Sequence, residues 1–296
     1  MNGNPSSIRS ALVICNPISG GGKGARLGPE LAQALVARGL RAECYTTTAA
    51  GDAEARARAA GAEPWDALIA VGGDGTVNEV LNGMPDPSRP LGVLPLGTAN
   101  VLSVELALPR TVARVAAVVA AGRTRSLAIG LAGARRFLLF CGVGVDGAVV
   151  HRLHTTRSGT LGKRKWAGPI LHTLWQWPQF TLRATFADGE VIDGLSSVLV
   201  TRVRDYGGVL KLPREISCDS GMLHVLCFRQ RARLAWLGLG VRGVLRCLRP
   251  GRNLLLRATT SLRIEGAAPF QLDGDFGGEA PVDVALHGVA ARVLVP

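Results

Sequence analysis

The fold is decided by the stretch between residues 67 and 83, which reads ALIAVGGDGTVNEVLNG. Ala67–Val71 is an uninterrupted apolar run with the length of a buried strand. The glycine-rich turn Gly72–Gly75 follows it, and the next segment opens with a Thr-Val-Asn-Glu sequence that has the spacing of a helix capping box. Asn82 and Gly83 predict the end of that helix. The stretch therefore predicts a strand, a tight turn and a helix, the unit from which parallel sheets are built.

The same unit recurs on both sides of this stretch. Apolar runs that predict strands alternate with helical patterns, at Ala11–Cys15, Ala25–Arg38, Leu40–Tyr45, Ala53–Ala60 and Leu91–Pro95. Another helix is expected to begin at Asn100. Strands that alternate with helices imply a mostly parallel sheet covered on both faces. We therefore expect an α/β domain over residues 1–130.

The pattern changes after about residue 130. Short β-like runs separated by turn residues dominate, at 137–140, 180–186, 196–201, 223–228, 254–258, 262–265 and 282–286. Helical patterns interrupt them at 162–177 and 231–249. Such runs are typical of an antiparallel β-sandwich. We predict a second domain of this kind over residues 131–296.

Composition limits the kind of protein. The chain has 296 residues, of which 47% are hydrophobic and 19% charged, so extensive disorder is excluded. Its six cysteines are scattered without metal-ligand spacing, which argues against a disulfide framework or a structural zinc and favours a reducing compartment. No apolar run reaches the roughly 20 residues of a membrane span, and the first ten residues lack a signal-peptide core. These patterns predict a cytoplasmic protein.

The positive charge is concentrated in the second half of the chain. The formal net charge is +12, and nine arginines but no acidic residue lie between Ser220 and Ile264. Such a surface attracts the phosphates of nucleic acid or of an anionic membrane. Aromatic residues make up only 5% of the chain and no RNA-binding signature is present. We therefore expect no nucleic-acid partner.

Two helical segments have features of membrane-surface helices. A helical wheel for residues 231–249 places arginines on one side, opposite an apolar arc that includes Leu234, Leu237 and Val241. This arrangement suits an anionic membrane surface, although a helix packed on its own sandwich with a solvated arginine face would show the same pattern. The segment 162–177 combines basic residues with tryptophans, which is typical of interfacial contact and equally of core packing.

Three glycine-rich turns in the first domain each follow a predicted strand, at Asn16–Gly22, Gly72–Thr76 and Pro95–Asn100. At the carboxyl ends of parallel strands such turns meet in one crevice. Glycine lets the backbone approach a phosphate, and the following helix offers unpaired N–H groups. No Walker A sequence occurs, and the G-x-G-x-x-G fingerprint is missing after the first predicted strand. Ordinary tight turns between strands and helices are the alternative interpretation.

The residues of these turns closely resemble a known family. NPISG at Asn16–Gly20, GGDGTVNEVLNG at Gly72–Gly83 and PLGTAN at Pro95–Asn100 are similar to the motifs of the bacterial diacylglycerol kinase-like lipid kinases, relatives of the sphingosine and ceramide kinases. NAD kinases and phosphofructokinases share the GGDG core, whereas the N-E-x-x-N-G extension is more specific. Tyr206–Gly208 and Leu272–Asp275 stand where that family has its Y-G-G and D-G-E elements.

The resemblance implies a fold and a set of site residues. It implies an N-terminal α/β nucleotide-binding domain of the NAD kinase and phosphofructokinase type, a C-terminal β-sandwich for the lipid substrate and a catalytic cleft between them. The residues that would bind ATP are Asn16, Pro17, Ser19, Gly20, Thr47, Gly72, Gly73, Asp74, Gly75, Thr76, Asn78, Glu79, Gly97, Thr98 and Asn100. Asp273 and Asp275 would face the acceptor hydroxyl, one as general base and one as anchor for a Mg²⁺-bound water. A surface hairpin turn, which Asp-Gly also favours, is the alternative for these two.

Three positions depart from the family pattern. Val101 follows Asn100 where the family usually has aspartate, and Asp275 replaces its glutamate. The family's metal-binding D-G-x-L turn reads Ser-Gly-Met-Leu at residues 220–223, with Asp219 one place early. The resemblance implies a structural Mg²⁺ site at Ser217, Asp219, Ser220 and Met222, and the serine at residue 220 leaves that site in question.

Together these patterns predict an ATP- and Mg²⁺-dependent lipid kinase that acts in lipid metabolism. Its acceptor would be a hydroxyl of diacylglycerol or a sphingoid-type lipid, with ceramide and glycolipids still open. We expect it in the cytoplasm, bound peripherally to the inner face of an anionic membrane, and a homodimer is compatible with the sequence. Two other hypotheses remain: an NAD kinase-like enzyme acting on a soluble nucleoside, and a non-catalytic regulator that binds nucleotide or lipid.

Overall fold

The computed structural model describes residues 8–155 and 179–296, and it divides into two compact units. The first unit ends at Leu127 and also includes Gly288–Pro296, whereas the second spans Ala128–His287. The division at residue 127 lies close to the predicted boundary at 130. The prediction that all later residues belong to the second domain differs from the structure, because the chain returns to the first unit to add a strand to its sheet.

The first unit is an α/β layer structure around one six-stranded sheet. Its strands are β1 (Ser10–Cys15), β2 (Arg41–Thr46), β3 (Ala67–Gly72), β4 (Leu91–Pro95), β5 (Thr124–Leu127) and β20 (Ala291–Leu294), in the order β2-β1-β3-β4-β20-β5. All neighbours pair in parallel except β20 and β5. Its helices are α1 (Gly24–Val36), α2 (Asp52–Ala59), α3 (Asp74–Gly83), α4 (Val101–Glu105) and α5 (Val112–Ala121), with a short 3-10 turn at Ala60–Ala62.

The central strands of this sheet are buried on both faces. Every residue of β1, β3 and β4 is buried, which explains why these strands read as continuous apolar runs rather than alternating ones. Leu31 and Leu35 of α1 and Val115 and Val119 of α5 pack into the same core. The packed core therefore fixes the positions of the carboxyl ends of these strands, where the chain turns toward the helices.

The second unit contains two six-stranded antiparallel sheets. Its strands are β6 (Gly130–Ala132), β7 (Arg135–Phe137), β8 (Phe140–Gly144), β9 (Leu182–Phe186), β10 (Val191–Leu195), β11 (Ser197–Thr201), β12 (Asp205–Tyr206), β13 (Leu210–Lys211), β14 (Leu223–Phe228), β15 (Leu254–Thr259), β16 (Ser261–Glu265), β17 (Pro269–Leu272), β18 (Asp275–Glu279) and β19 (Val282–Leu286). One sheet has the order β10-β9-β16-β19-β6-β7 and the other β15-β14-β11-β8-β17-β18, while β12 and β13 form a separate pair. Two described helices accompany them, α6 (Val145–Thr155) and α7 (Arg233–Val244).

The two sheets share one hydrophobic core. Phe137, Leu182 and Ile264 from one sheet and Val200 and Val225 from the other lie in a single buried cluster. The predicted fold class, an α/β unit followed by an antiparallel β-sandwich, is confirmed.

Two predicted segments do not correspond to described elements. The apolar run at 137–140 is not one strand, because β7 ends at Phe137 and β8 begins at Phe140. The backbone N–H groups of the intervening residues, Leu138 and Leu139, donate to a carboxylate instead of to a neighbouring strand. The predicted helix at 162–177 lies outside the described residues. Among the helices that the structure describes, none is long and apolar enough to cross a bilayer.

Candidate nucleotide and acceptor sites

The three glycine-rich turns of the first unit lie side by side. They follow β1, β3 and β4, which are neighbours in the parallel sheet, so their carboxyl ends meet at one edge. The Asn16 side chain donates to Oγ1 of Thr76 at 3.5 Å, which joins the first turn to the start of α3. The third turn is fastened to the second by the Leu96 N–H, which donates to the Gly72 carbonyl at 2.8 Å. Segments 60 residues apart in sequence are thus brought together.

Two sets of glycines have a steric role in these turns. A Cβ on Gly97 would lie 2.6 Å from the Cα of Gly73, so the backbones of the second and third turns pass too close for any side chain there. Gly20, Gly21 and Gly22 have φ values of 64°, 70° and 90°, in the left-handed region that favours glycine. The turns therefore present backbone rather than side chains to the space beyond the sheet edge.

The N-terminus of α3 has no side-chain cap. Its N-cap residue is Gly73, and the carboxylate of Asp74 reaches the start of α4 instead, where it accepts hydrogen bonds from the N–H groups of Val101 and Leu102 at 3.0 and 3.4 Å. A helix end with unpaired N–H groups and a positive dipole is suited to an anion. The arrangement of turns and helix end fits the phosphates of a nucleotide.

The other predicted nucleotide-binding side chains divide into two kinds. Thr47 lies beside the end of β1, because its N–H donates to the Cys15 carbonyl at 2.8 Å, and Thr98 is exposed in the third turn. Asn78 is buried within α3 and accepts from Nδ2 of Asn82 at 3.0 Å, so these two residues stabilise the helix. Asn100 has a left-handed backbone and donates to the Gly97 carbonyl at 2.6 Å, which closes the third turn.

One of the departures from the family pattern has a structural counterpart beside the third turn. Val101 is 3% exposed and begins α4, so the position at which the family has an aspartate is part of the apolar core in this chain. The Oδ1 atom of Asn100 is buried without a hydrogen-bond partner in the described part of the chain. A buried polar atom without a partner is uncommon, which points to a ligand or a water at this turn.

In the second unit, Asp273 and Gly274 form the turn of the hairpin between β17 and β18. Their φ values are 51° and 96°, as a two-residue hairpin turn with the favoured twist requires. The Asp273 carboxylate is 8% exposed as a residue and accepts three backbone hydrogen bonds at 2.8–2.9 Å, from Leu138, Leu139 and Phe140. Its own N–H donates to the Phe140 carbonyl at 3.0 Å. Asp273 therefore fixes the connection between β7 and β8.

Asp275 has different surroundings. It is the first residue of β18, pairs with Leu272 across the hairpin and is half-buried. The two aspartates that flank Gly274 are thus unequal, since one is enclosed by backbone donors and the other lies nearer the surface of the unit. The hairpin geometry does not by itself distinguish an acceptor site from an ordinary turn.

Asp146 joins the motifs of the second unit and was not among the predicted site residues. The Tyr206 hydroxyl donates to Oδ1 of Asp146, and Nε2 of Gln271 donates to Oδ2 at 2.8 Å. Gln271 also accepts from the N–H of Gly274 at 2.8 Å. Burial raises the pKa of Asp146 to about 6, although the Gln271 hydrogen bond acts in the opposite direction. The carboxylate therefore links the Tyr-Gly-Gly segment to the 273–274 turn.

A sequence signal for Asp146 exists in the glycines beside it. A Cβ on Gly142 would overlap the Asp146 carboxylate, so the glycine at residue 142 leaves room for that acid. The Gly-Val-Gly-Val-Asp-Gly sequence at 142–147 could equally be a turn at a strand end, and only the folded contacts decide between these interpretations.

The residues expected to bind a structural Mg²⁺ do not fit a metal ion. The Ser217 carbonyl accepts from Oγ of Ser220 at 2.9 Å, and the Met222 carbonyl accepts from the Arg202 guanidinium. The described residues include no cluster of three His, Cys, Asp or Glu side chains that could hold a metal. The two carbonyl oxygens expected in this site already accept hydrogen bonds, and the Arg202 cation lies beside one of them.

The comparisons with known proteins agree with this geometry. Residues 10–132, which contain all three glycine-rich turns, match the diacylglycerol kinase catalytic domain family. The first unit is therefore similar to a diacylglycerol kinase catalytic domain. This finding confirms the resemblance drawn from the motifs, and with it the enzyme class, a lipid kinase.

The similarity to relatives and solved structures covers the diacylglycerol kinase match and most of the remaining chain. The chain is 29% identical to a diacylglycerol kinase of Staphylococcus carnosus (strain TM300) over 93% of its length and 91% of the relative. It is also 29% identical to a diacylglycerol kinase of Bacillus subtilis (strain 168), with 93% and 92% covered. A crystal structure of a diacylglycerol kinase from Bacillus anthracis str. Sterne shares the fold, with a TM-score of 0.75 at 21% identity over 98% of both chains.

Proposed function

We propose that the protein is an ATP- and Mg²⁺-dependent kinase that transfers the γ-phosphoryl group to a hydroxyl of a diacylglycerol-type lipid at a membrane surface. The observation that carries the proposal is the meeting of three glycine-rich turns around the uncapped N-terminus of α3, inside the segment that matches the kinase family. The nucleotide would bind to the first unit, and the lipid acceptor to the second.

The first unit supplies donors for a triphosphate. Backbone N–H groups of Gly20, Gly21 and the α3 N-terminus, with the Thr98 hydroxyl, would bind phosphate oxygens. Mg²⁺ typically takes one or two carboxylates and several phosphate oxygens, so the nucleotide's own oxygens would hold most of the ion, with Asp74 or Glu79 as the protein carboxylate. When bound, the ion neutralises charge on the phosphates that react.

The second unit supplies the proton acceptor. The acceptor oxygen bonds to the γ-phosphorus, the bond from that phosphorus to the β–γ bridging oxygen breaks, and the acceptor's proton passes to a carboxylate. We assign that proton to Asp275, because three backbone N–H groups already occupy the Asp273 carboxylate. Asp273 would act as a positioning residue that holds the hairpin turn and thereby its neighbour.

The apolar face of α7 supports action at a membrane. Its inner face contacts the unit, since Trp236 stacks on Phe228 at 4.9 Å between ring centroids and Leu239 and Gly243 are buried. The opposite face is apolar and exposed in the described part of the chain. It consists of Leu234, Leu237, Val241, Val244 and Leu245, which are 49–81% exposed. The helix thus packs on its unit and still presents an apolar face.

Charge complements that exposed face. Arg233, Arg242 and Arg246 are exposed on or directly after α7. An apolar stripe flanked by arginines is the pattern of a helix that lies in the headgroup region of an anionic bilayer. We propose that this face docks the protein on the membrane that contains its substrate.

The test is a phosphoryl-transfer assay with defined acceptors. The purified protein is incubated with γ-labelled ATP, Mg²⁺ and anionic vesicles that contain diacylglycerol, sphingosine or ceramide, and the organic phase is separated. We expect label in the diacylglycerol sample and loss of the label when EDTA exceeds Mg²⁺. Label on NAD in a lipid-free sample would favour the soluble-nucleoside kinase. Folded protein that binds ATP but labels no acceptor would favour the non-catalytic regulator.

A further inference from the structure

Arg202 is the largest fully buried side chain in the described residues. It directly follows β11 and is 2% exposed. Arginine is almost never buried to this extent without partners, because the charged guanidinium loses its hydration. The contacts of this one group therefore indicate what the cation does in the second unit.

The partners of Arg202 are carbonyl oxygens of the turn that precedes β14. Nη1 donates to the Met222 carbonyl and Nη2 donates to the Cys218 carbonyl at 3.0 Å. An arginine side chain stays protonated in proteins, and Asp219 contributes a negative charge nearby. The planar guanidinium directs its donors in a fixed geometry, so it connects two points of the turn that are four residues apart.

Ser220 provides further hydrogen bonds within the turn. Its hydroxyl donates to the Ser217 carbonyl at 2.9 Å and lies 2.9 Å from Nε2 of His224. The Met222 N–H donates to the same hydroxyl oxygen at 3.2 Å. Nε2 of His224 also accepts from the N–H of Ser217 at 3.3 Å.

We propose that the Arg202 guanidinium is a built-in cation that takes the place of a divalent metal ion in the 217–222 turn. Carbonyl oxygens that converge on one point need a positive charge between them, and the guanidinium supplies it from a side chain of the same unit. A divalent ion at the Met222 carbonyl would also stand within a few ångströms of the guanidinium, where like charges repel strongly. The second unit would therefore fold without bound metal.

The first test measures metal dependence without nucleotide. Thermal unfolding of the nucleotide-free protein is followed in EDTA, in Mg²⁺ alone and in Ca²⁺ alone. We expect the Tm values to agree within about 1 °C, whereas a native-state site filled at a hundred times its Kd would raise Tm by about 5–10 °C. A rise of that size, or one equivalent of divalent metal retained after gel filtration in metal-free buffer, would overturn the proposal. Neither readout depends on kinase activity.

The second test moves the charge. Arg202→Met together with Ser220→Asp removes the guanidinium and restores a carboxylate to the turn. We expect the Tm of this double variant to rise with Mg²⁺. Arg204→Met is the matched control, because it also removes an arginine, one that donates to the Pro213 carbonyl. The Tm of this control should not change with metal. A folded double variant without any metal response would contradict the proposal. If the double variant does not fold, the metal content and Tm of the unaltered protein decide.

Discussion

At the residue scale, one carboxylate organises a segment of backbone that is remote in sequence. Asp273 accepts from the N–H groups of Leu138, Leu139 and Phe140, which precede it by 133–135 residues. These hydrogen bonds satisfy backbone donors that would otherwise be buried without partners where β7 gives way to β8. We therefore expect substitutions of the two aspartates around Gly274 to have different effects.

Asp273→Asn should destabilise the second unit, because an amide cannot accept all three hydrogen bonds. We expect a loss of about 1–3 kcal/mol in the free energy of unfolding. Asp275→Asn should leave that free energy within about 0.5 kcal/mol and lower kcat at least tenfold, with ATP binding retained. Urea unfolding and initial rates on vesicles measure both. A stable Asp273→Asn variant without activity would reverse the two roles.

Asp146 predicts a pH-dependent difference in stability. Its pKa is about 6 in the folded protein and 3.8 ordinarily, so between these values the folded state holds a proton that the unfolded state has lost. Stability is therefore unaffected below about pH 4, falls as pH rises to about 6 and stays lowered above it.

Asp146→Asn removes this titration. Relative to the unaltered protein, the variant should gain about 1–3 kcal/mol between pH 4 and pH 7, on top of any constant cost from altered contacts with Tyr206 and Gln271. Urea unfolding of both proteins at four pH values measures the difference. A difference that does not change with pH would show that Asp146 is ionised throughout.

At the scale of elements, α7 is apolar on two faces. Trp236, Leu239 and Gly243 face the unit, and the exposed residues recur at helical spacing on the other side. A helix that is apolar all round is normally enclosed by protein or lipid. The exposed face of α7 therefore predicts a partner, for which the surrounding arginines favour an anionic bilayer.

Leu237→Asp and Val241→Asp should each weaken binding to anionic vesicles. Removing a buried apolar side chain costs about 1.5–3 kcal/mol, which corresponds to a tenfold or greater loss of partitioning. Co-sedimentation with vesicles measures the effect. Val191→Asp is the matched control, because Val191 is 48% exposed on β10. If all three variants bind equally, α7 does not contact the membrane.

At the scale of the whole molecule, the first unit is discontinuous in sequence. β20 inserts between β4 and β5, and its residues Ala291, Val293 and Leu294 are 0–1% exposed. Val295 continues the contact, since its N–H donates to the Arg123 carbonyl at 3.0 Å. Residues 288–296 are therefore part of the unit that carries the kinase motifs.

Val293→Asp should destabilise that unit severely. A carboxylate at a fully buried strand position costs several kcal/mol, whereas Val289→Asp on the same segment, where the side chain is 41% exposed, should change stability by less than about 0.5 kcal/mol. Hydrogen exchange measured by mass spectrometry shows where protection is lost. Loss confined to the second unit would contradict this division of the chain.

The sequence predicts those structural features that depend on residues close together in the chain. β3 and α3 follow from adjacent residues, and β4, β14 and β19 have the bounds that their apolar runs predict. The four residues of β20 carry too little pattern to reveal a partner strand about 200 positions away, since Val293 pairs with Leu91. The surroundings of Asp146 and Arg202 depend on contacts between strands, which hydrophobic periodicity does not encode.

The position of β20 has a consequence for synthesis. At about 5–20 residues per second, the residues of the second unit take roughly ten to thirty seconds to emerge after β5. During that interval the nascent chain lacks the strand that separates β4 from β5, and the edge of β4 is open to pairing with other chains. The order in which domains usually mature on the ribosome is thereby reversed: the β-sandwich can finish first, and the unit made first is completed last.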